Sequence, residues 1–293
     1  MGLESKLLGN EPRFAAYVEA ITAVLGHADR VAPFHSYCAG LLLPGDRKSV
    51  EPMAARILPG RVRAAHQSLH HFVAKADWSD EAVLAAVRTR VLPVVEQRGP
   101  TQALIVDDTG IPKKGKHSVG VARQYCGQLG KQDNCQVAVS LSAANDHASL
   151  PIAYRLYLPH EWIDDPDRRA EAGLPDDIVF QTKPQIALNQ LRAARAVGIK
   201  ADVVLADAGY GNDTDFRDGI TEIGLAYGVG IQSSTSLWRP GVQPPPPKPW
   251  STRGRPTSVI RRDGAHQPTS ARQLALELPK KAPVYALSSA SQP

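Results

Sequence analysis

The amino-acid sequence predicts an α/β fold in which a mixed sheet flanked by helices follows an all-helical N-terminal domain. Helical periodicity dominates to about residue 99. From Gln102 onward, short apolar runs bounded by Gly, Asn or Pro take over, as buried strands require. Two of those runs end in aspartate, Ala103-Leu-Ile-Val-Asp107-Asp108-Thr-Gly110 and Asp202-Val-Val-Leu-Ala-Asp207-Ala-Gly-Tyr-Gly211. The expected division is a helical domain over 1–99, an α/β core over 100–238, and a basic, Pro-rich segment with a tail over 239–293.

The elements follow in order. Phe14, Val18, Ile21 and Leu25 recur at helical spacing and share one face. Arg61–Lys75 reads as a second helix carrying several bases; it suits either a packed bundle or a surface lying along DNA. Ser79 can cap a third helix, with Asp80 and Glu81 favourable in its first turn and Leu84, Val87 and Val91 inward. Strands are expected at Leu104–Val106, Val119–Tyr125, Gln136–Leu141 and Ile152–Leu158, the first three as a meander. Thr182 then caps a helix with Pro184 at its first position, Leu188, Leu191 and Val197 inward, and Gly198 as its stop. The strand ending in Asp207 follows, then a short helix over Thr214–Ile223 and a strand over Leu225–Ile231.

The net charge of +5 is unevenly spread. Between Arg239 and Lys281 nine lysines and arginines face only Asp263 and Glu277, a local charge of +7, so the remainder is at −2. A segment of that kind, with Pro244–Pro247 and little periodicity, is either a solvated tail or an arm that tracks nucleic acid. The three cysteines, Cys38, Cys126 and Cys135, form no C-x-x-C pair, which argues against a disulfide framework or a zinc knuckle and fits a reducing cytosol. No apolar run approaches the roughly 20 residues of a membrane span, and the first residues lack a signal-peptide core.

Two carboxylates at neighbouring strand ends repel by roughly 4 kcal/mol at about 4 Å in an effective dielectric of 20, so a cation should accompany them. Hard oxygen donors without interleaved Cys or His point to magnesium or manganese. Competing motifs are weaker. Gly110-Ile-Pro-Lys-Lys-Gly-Lys116-His117 approximates a phosphate-binding loop, but His117 replaces the hydroxyl residue, Pro112 removes an amide, and a strand follows where a helix is required. Lys113, Lys114 and Lys116 read better as a basic hairpin beside the carboxylates, suited to a phosphate backbone. His70 and His71 point to adjacent helix faces. Cys126 lacks a visible activating pattern. Asp164-Asp-Pro-Asp-Arg-Arg169 lacks the Gly and Glu of a calcium loop.

The stretch from Val106 through Asp107-Asp-Thr-Gly-Ile-Pro-Lys to Gly127, with Asp133-Asn-Cys-Gln-Val-Ala-Val139, Leu156-Tyr-Leu-Pro-His-Glu-Trp162 and Ala206-Asp-Ala-Gly-Tyr-Gly211, resembles bacterial insertion-sequence transposases of the DDE class. The resemblance extends into Tyr37–Lys48 and Gln67–Phe72 and runs to about Leu278. It implies an RNase H-like catalytic core, Asp107 and Asp207 as catalytic metal ligands with Asp108 as a further ligand candidate, and two Mg2+ or Mn2+ ions. It also implies DNA contacts by Lys113, Lys114, Lys116 and Arg123, DNA ends and target as partners, self-association, and a cytoplasmic, nucleoid-associated location. The family's third carboxylate, a Glu on a later helix, is not matched: no Tyr-x-x-Arg-x-x-x-Glu stretch occurs, Glu222 follows Asp207 too closely, and Glu277 sits in an insert-like segment. The expectation is a C-terminally truncated fragment, largely inactive in strand transfer, with one sheet face uncovered. The alternative is a non-catalytic DNA-binding protein, or an inhibitor that forms mixed oligomers with a full-length transposase.

Overall fold

The computed structural model describes residues 12–242, 245, 246, 249 and 266–278. The chain divides into two compact units, Met1–Pro100 and Thr101–Pro293. The first is helical: α1 (Pro12–Thr22), α2 (Val31–Leu42), α3 (Val50–Ile57), α4 (Val62–Ala74) and α5 (Asp80–Glu96). Val18, Ile21 and Leu25 are buried as their spacing predicts, although α1 ends before Leu25. Leu43, Met53, Ala54, Ile57 and Leu69 form a core into which Tyr37 packs. Leu69 and Phe72 are the buried face of α4, and the Trp78 ring stacks on Phe72. Arg61, Arg63 and Lys75 remain exposed. Ser79 caps α5 by accepting the Ala82 amide. The inward face of α5 differs from expectation: Leu92 is its buried residue, and Leu84, Val87 and Val91 are half-buried.

The second unit is a mixed sheet of β1 (Ala103–Pro112), β2 (Ala122–Cys126), β3 (Lys131–Ala144), β4 (Ser149–Leu156), β5 (Val203–Ala206) and β6 (Ala226–Val229). Short helices α6 (His160–Ile163) and α7 (Pro166–Ala172) follow β4, and α8 (Lys183–Ala196) leads into β5. After β5 come α9 (Ala208–Gly211) and α10 (Thr214–Glu222); β7 (Ser236–Leu237) pairs with β8 (Thr269–Ser270), and α11 (Ala271–Glu277) follows.

Strand β3 pairs antiparallel with β1, β2 and β4, while β5 lies parallel to β1 and β6 parallel to β5. The order β4-β3-β1-β5-β6, antiparallel at one side and parallel at the other, is an RNase H-like mixed sheet. The expected meander is corrected in one respect: the run at Val119–Tyr125 does not enter between its neighbours. Its strand starts at Ala122 and pairs with the first part of β3, so β3, not β2, lies beside β1. The basic stretch after β1 is therefore a crossover and not a hairpin turn.

One sheet face is closed by α8 and α10. Leu104, Val106, Val139, Leu141, Ala143 and Val204 are buried there with Ile186, Leu191, Phe216 and Ile220. Gln190 donates from α8 to the Val139 carbonyl at 3.1 Å, while its Oε1 is buried without a hydrogen-bond partner. Thr182 and Gln185 complete a capping box on α8, as the sequence suggests. Val197, expected inward, is exposed at the helix end. On the opposite face Leu205 and Tyr154 are exposed.

Candidate functional site

Asp107 and Asp207 owe their placement to strand pairing. The parallel register sets Val106 opposite Ala206, so the two aspartates are the next residues at the C-terminal edge of adjacent central strands. Side chains alternate between faces along a strand. Leu104, Val106 and Asp108 share the covered face, whereas Ile105 and Asp107 share the other; Asp207, one residue past the end of β5, lines a cavity together with Asp108. Asp107 and Asp207 are exposed.

Each carboxylate is held by a nearby amide. Asp107 Oδ1 accepts the Asp108 N–H at 2.7 Å, and Asp207 Oδ1 accepts the Gly209 N–H at 2.8 Å as the cap of α9. Gly211 permits this turn: a Cβ there would stand 1.9 Å from the Gly230 carbonyl oxygen, so the turn is pressed against the end of β6. Gly110 plays a matching part on β1, where a Cβ would meet the Cys126 backbone and sulfur at 2.9 Å.

Asp108 differs from Asp107 by strand alternation and by a partner of its own. It forms an ion pair with Lys183, the first residue of α8, and both side chains are about one-third exposed. Sequence reasoning missed Lys183. A signal was present, because a lysine in the first helical turn opposes the helix dipole and calls for a nearby anion. Tyr210 is buried close to the group. Burial, then the charges of Asp108, Asp207 and Asp107, push its hydroxyl well above the ordinary phenol range, so all three carboxylates act on one phenol.

The donor chemistry fits a hard divalent cation: two oriented carboxylates on one edge. Asp107 and Asp207 would hold it. Among the described residues no group of three or more His, Cys, Asp or Glu side chains is placed to bind a metal. Glu222 pairs with Arg192 at 3.6 Å, and Glu277 is gripped by Arg239. Neither joins the aspartates as a third ligand in this arrangement.

Of the predicted basic residues, Lys114, Lys116 and Arg123 are exposed and Lys113 is half-buried. Their crossover is anchored rather than loose. Asn134 donates to the Lys113 and Gly115 carbonyls, each at 2.8 Å, and Arg168 donates to the Lys116 carbonyl at 3.0 Å. Arg168 in turn lies 3.7 Å above the Trp162 ring, whose buried N–H bonds the Val121 carbonyl. These anchors were not legible as a site. Of the nine cations counted between Arg239 and Lys281, Arg239 and Arg272 fall within the described residues, and the remainder of that segment lies outside them. No described helix is long and apolar enough to cross a membrane.

A curated "Probable transposase for insertion sequence element IS701" from Microchaete diplosiphon is 34% identical over 169 residues, which span 57% of this chain and 41% of that relative. The chain thus matches less than half the length of this relative. The profile of the family described as DDE superfamily endonuclease matches residues 21–290. With that match over most of its length and an RNase H-like sheet beneath it, the chain belongs to the DDE superfamily endonucleases.

Proposed function

We propose that this chain carries the metal-binding core of a DDE-type transposase acting on DNA. Asp107 and Asp207 are its catalytic carboxylates, and the cofactor is Mg2+ or Mn2+. The observation that carries this reading is the parallel register of β1 and β5, which makes the two aspartates successive to paired residues at one edge. The curated relative is named as a probable transposase, which supports the same class. Divalent ions bound by such a pair activate a water or a 3′-hydroxyl and stabilise the leaving oxygen at a phosphodiester.

The chain's own residues prepare that chemistry. Backbone amides at Asp108 and Gly209 orient the two carboxylates before any ligand arrives. Lys183 neutralises Asp108, which lowers the repulsion among three acids and supports a positioning role for Asp108. Lys113, Lys114, Lys116 and Arg123 supply phosphate contacts that position DNA without reading its sequence. The helical unit, with Arg61, Arg63 and Lys75 outward, supplies further backbone contact.

The pairing of Glu222 with Arg192 and of Glu277 with Arg239 supports a finer reading. The described residues form an incomplete site with weak strand transfer, and DNA binding, alone or in mixed oligomers with a longer homologue, outlasts catalysis. A nicking assay on supercoiled plasmid with manganese tests both levels. Asp107→Asn and Asp207→Asn should each abolish metal-dependent nicking while Asp108→Asn retains part of it. Nicking that survives both substitutions sinks the assignment of the carboxylates. Plasmid binding without nicking in the unmodified chain would support the non-catalytic reading.

A further inference from the structure

His66 and His70 take no part in the site at the sheet edge. They stand four residues apart on α4, so their side chains share one face of the helix, whereas His71 lies about 100° further round. Of the nine histidines in the sequence, these two alone have that spacing. Their rings face each other, with centroids 6.0 Å apart and planes 25° from parallel. Neither ring belongs to the core: His66 is half-buried and His70 exposed, while the buried face of α4 is Leu69 and Phe72. Among the described residues, neither imidazole is engaged by a hydrogen bond or an ion pair.

That geometry suits one bound cation. Histidines at i and i+4 present ring nitrogens to a common point outside the helix, the spacing that zinc-binding helices use. With metal–nitrogen bonds of about 2.0–2.1 Å, two imidazoles on one ion hold their ring centres roughly 5–6 Å apart, so the observed 6.0 Å is close to that of a chelating pair. Imidazole nitrogen selects borderline transition metals, whereas Mg2+ prefers oxygen. We propose that His66 and His70 chelate one borderline divalent cation, Zn2+, Ni2+ or Cu2+, on the surface of the helical unit. Among the described residues no third His, Cys, Asp or Glu joins them, so water fills the remaining positions and the ion is exchangeable, unlike the closed centre of a structural zinc site. Arg63, exposed on the same face, opposes a further positive charge and keeps the affinity moderate. The site is separate from the hard-ion site at Asp107 and Asp207 and does not rest on it.

The test is a calorimetric titration of the untagged full chain with Zn2+ alone, repeated with Ni2+ and Cu2+, and repeated on a chain carrying Asp107→Asn and Asp207→Asn. The chain without the two aspartates should still bind one Zn2+ ion, Cu2+ should bind more tightly than Ni2+ or Zn2+, and excess Mg2+ should leave the Zn2+ isotherm unchanged. His70→Ala should weaken Zn2+ binding by about tenfold or more, because the remaining imidazole then lacks its intramolecular second donor. His66→Ala should do the same; because His70 is exposed, its substitution keeps the test decisive if the change at half-buried His66 disturbs folding. His71→Ala, on another face, should leave the affinity unchanged. Zn2+ binding that survives His70→Ala at full strength, that falls as much with His71→Ala, or that Mg2+ displaces, overturns the pair. So does the loss of all Zn2+ binding when the two aspartates are replaced. None of these outcomes touches the reading of the aspartates, which the nicking assay tests by itself.

Discussion

Lys183 and Tyr210 show how much of this site is settled by single side chains. The lysine stands in the first turn of α8, where the helix dipole disfavours a cation, and the Asp108 carboxylate offsets that cost. The consequence is a difference between two adjacent acids: Asp107 is exposed, whereas Asp108 is paired. Tyr210 has the opposite circumstance, a polar atom with nothing to bond. Removing it should therefore help the fold. Tyr210→Phe is expected to raise stability by about 1 kcal/mol in denaturant unfolding without DNA, since the substitution deletes an unsatisfied buried hydroxyl and keeps the ring. A loss of stability would mean that the hydroxyl is satisfied after all.

At the scale of elements, the two aspartate motifs are as much about glycine as about acid. The Asp207 turn closes only because Gly211 lets it approach the end of β6, and β1 passes Cys126 closely at Gly110. A methyl at Gly211 must displace backbone, not a flexible side chain. Gly211→Ala should cost about 1–3 kcal/mol and reduce metal affinity with it, read by thermal unfolding and by manganese titration. Unchanged values for both would show that the turn has slack. The strands and helices bearing these motifs were legible beforehand because their signals are local: apolar runs ending in Asp, and the Thr182–Gln185 cap with Pro184. The arrangement of β2 was not. Strand order depends on which partner a run meets across the chain, and β3 is long enough to pair β2 with one half and β4 with the other. The same holds for the site. Asp107 and Asp207 announced themselves by position in their runs, but the Lys183 partnership and the Arg168–Trp162 anchor join residues far apart in sequence. No periodicity records such pairs.

Across the molecule, several buried thiols and phenols hold their protons more tightly folded than unfolded. Burial raises the Cys38 thiol from 9.0 to about 11. Burial, with the charge of Cys38 adding to it, raises Tyr17; burial also raises Cys135, next to Cys126. Between pH 9 and 11 the unfolded chain therefore carries fewer protons than the folded one, and stability falls as pH rises through that window. Unfolding midpoints measured from pH 8 to 11 should decline across it, and Cys38→Ala should flatten the decline. A midpoint that rises with pH would contradict the burial of these groups. The charge of the basic crossover works at the same scale, because exposed cations act on a polyanion through the summed field, and that field fades with salt.

The amides that steady Asp107 and Asp207 have one more implication. A carboxylate oxygen that turns toward a cation must share or release its N–H donor, so the protection of just two peptide protons, at Asp108 and Gly209, reports whether the rim is loaded. Deuterium uptake at those two positions would serve as an internal gauge of occupancy, readable before a single phosphodiester is broken.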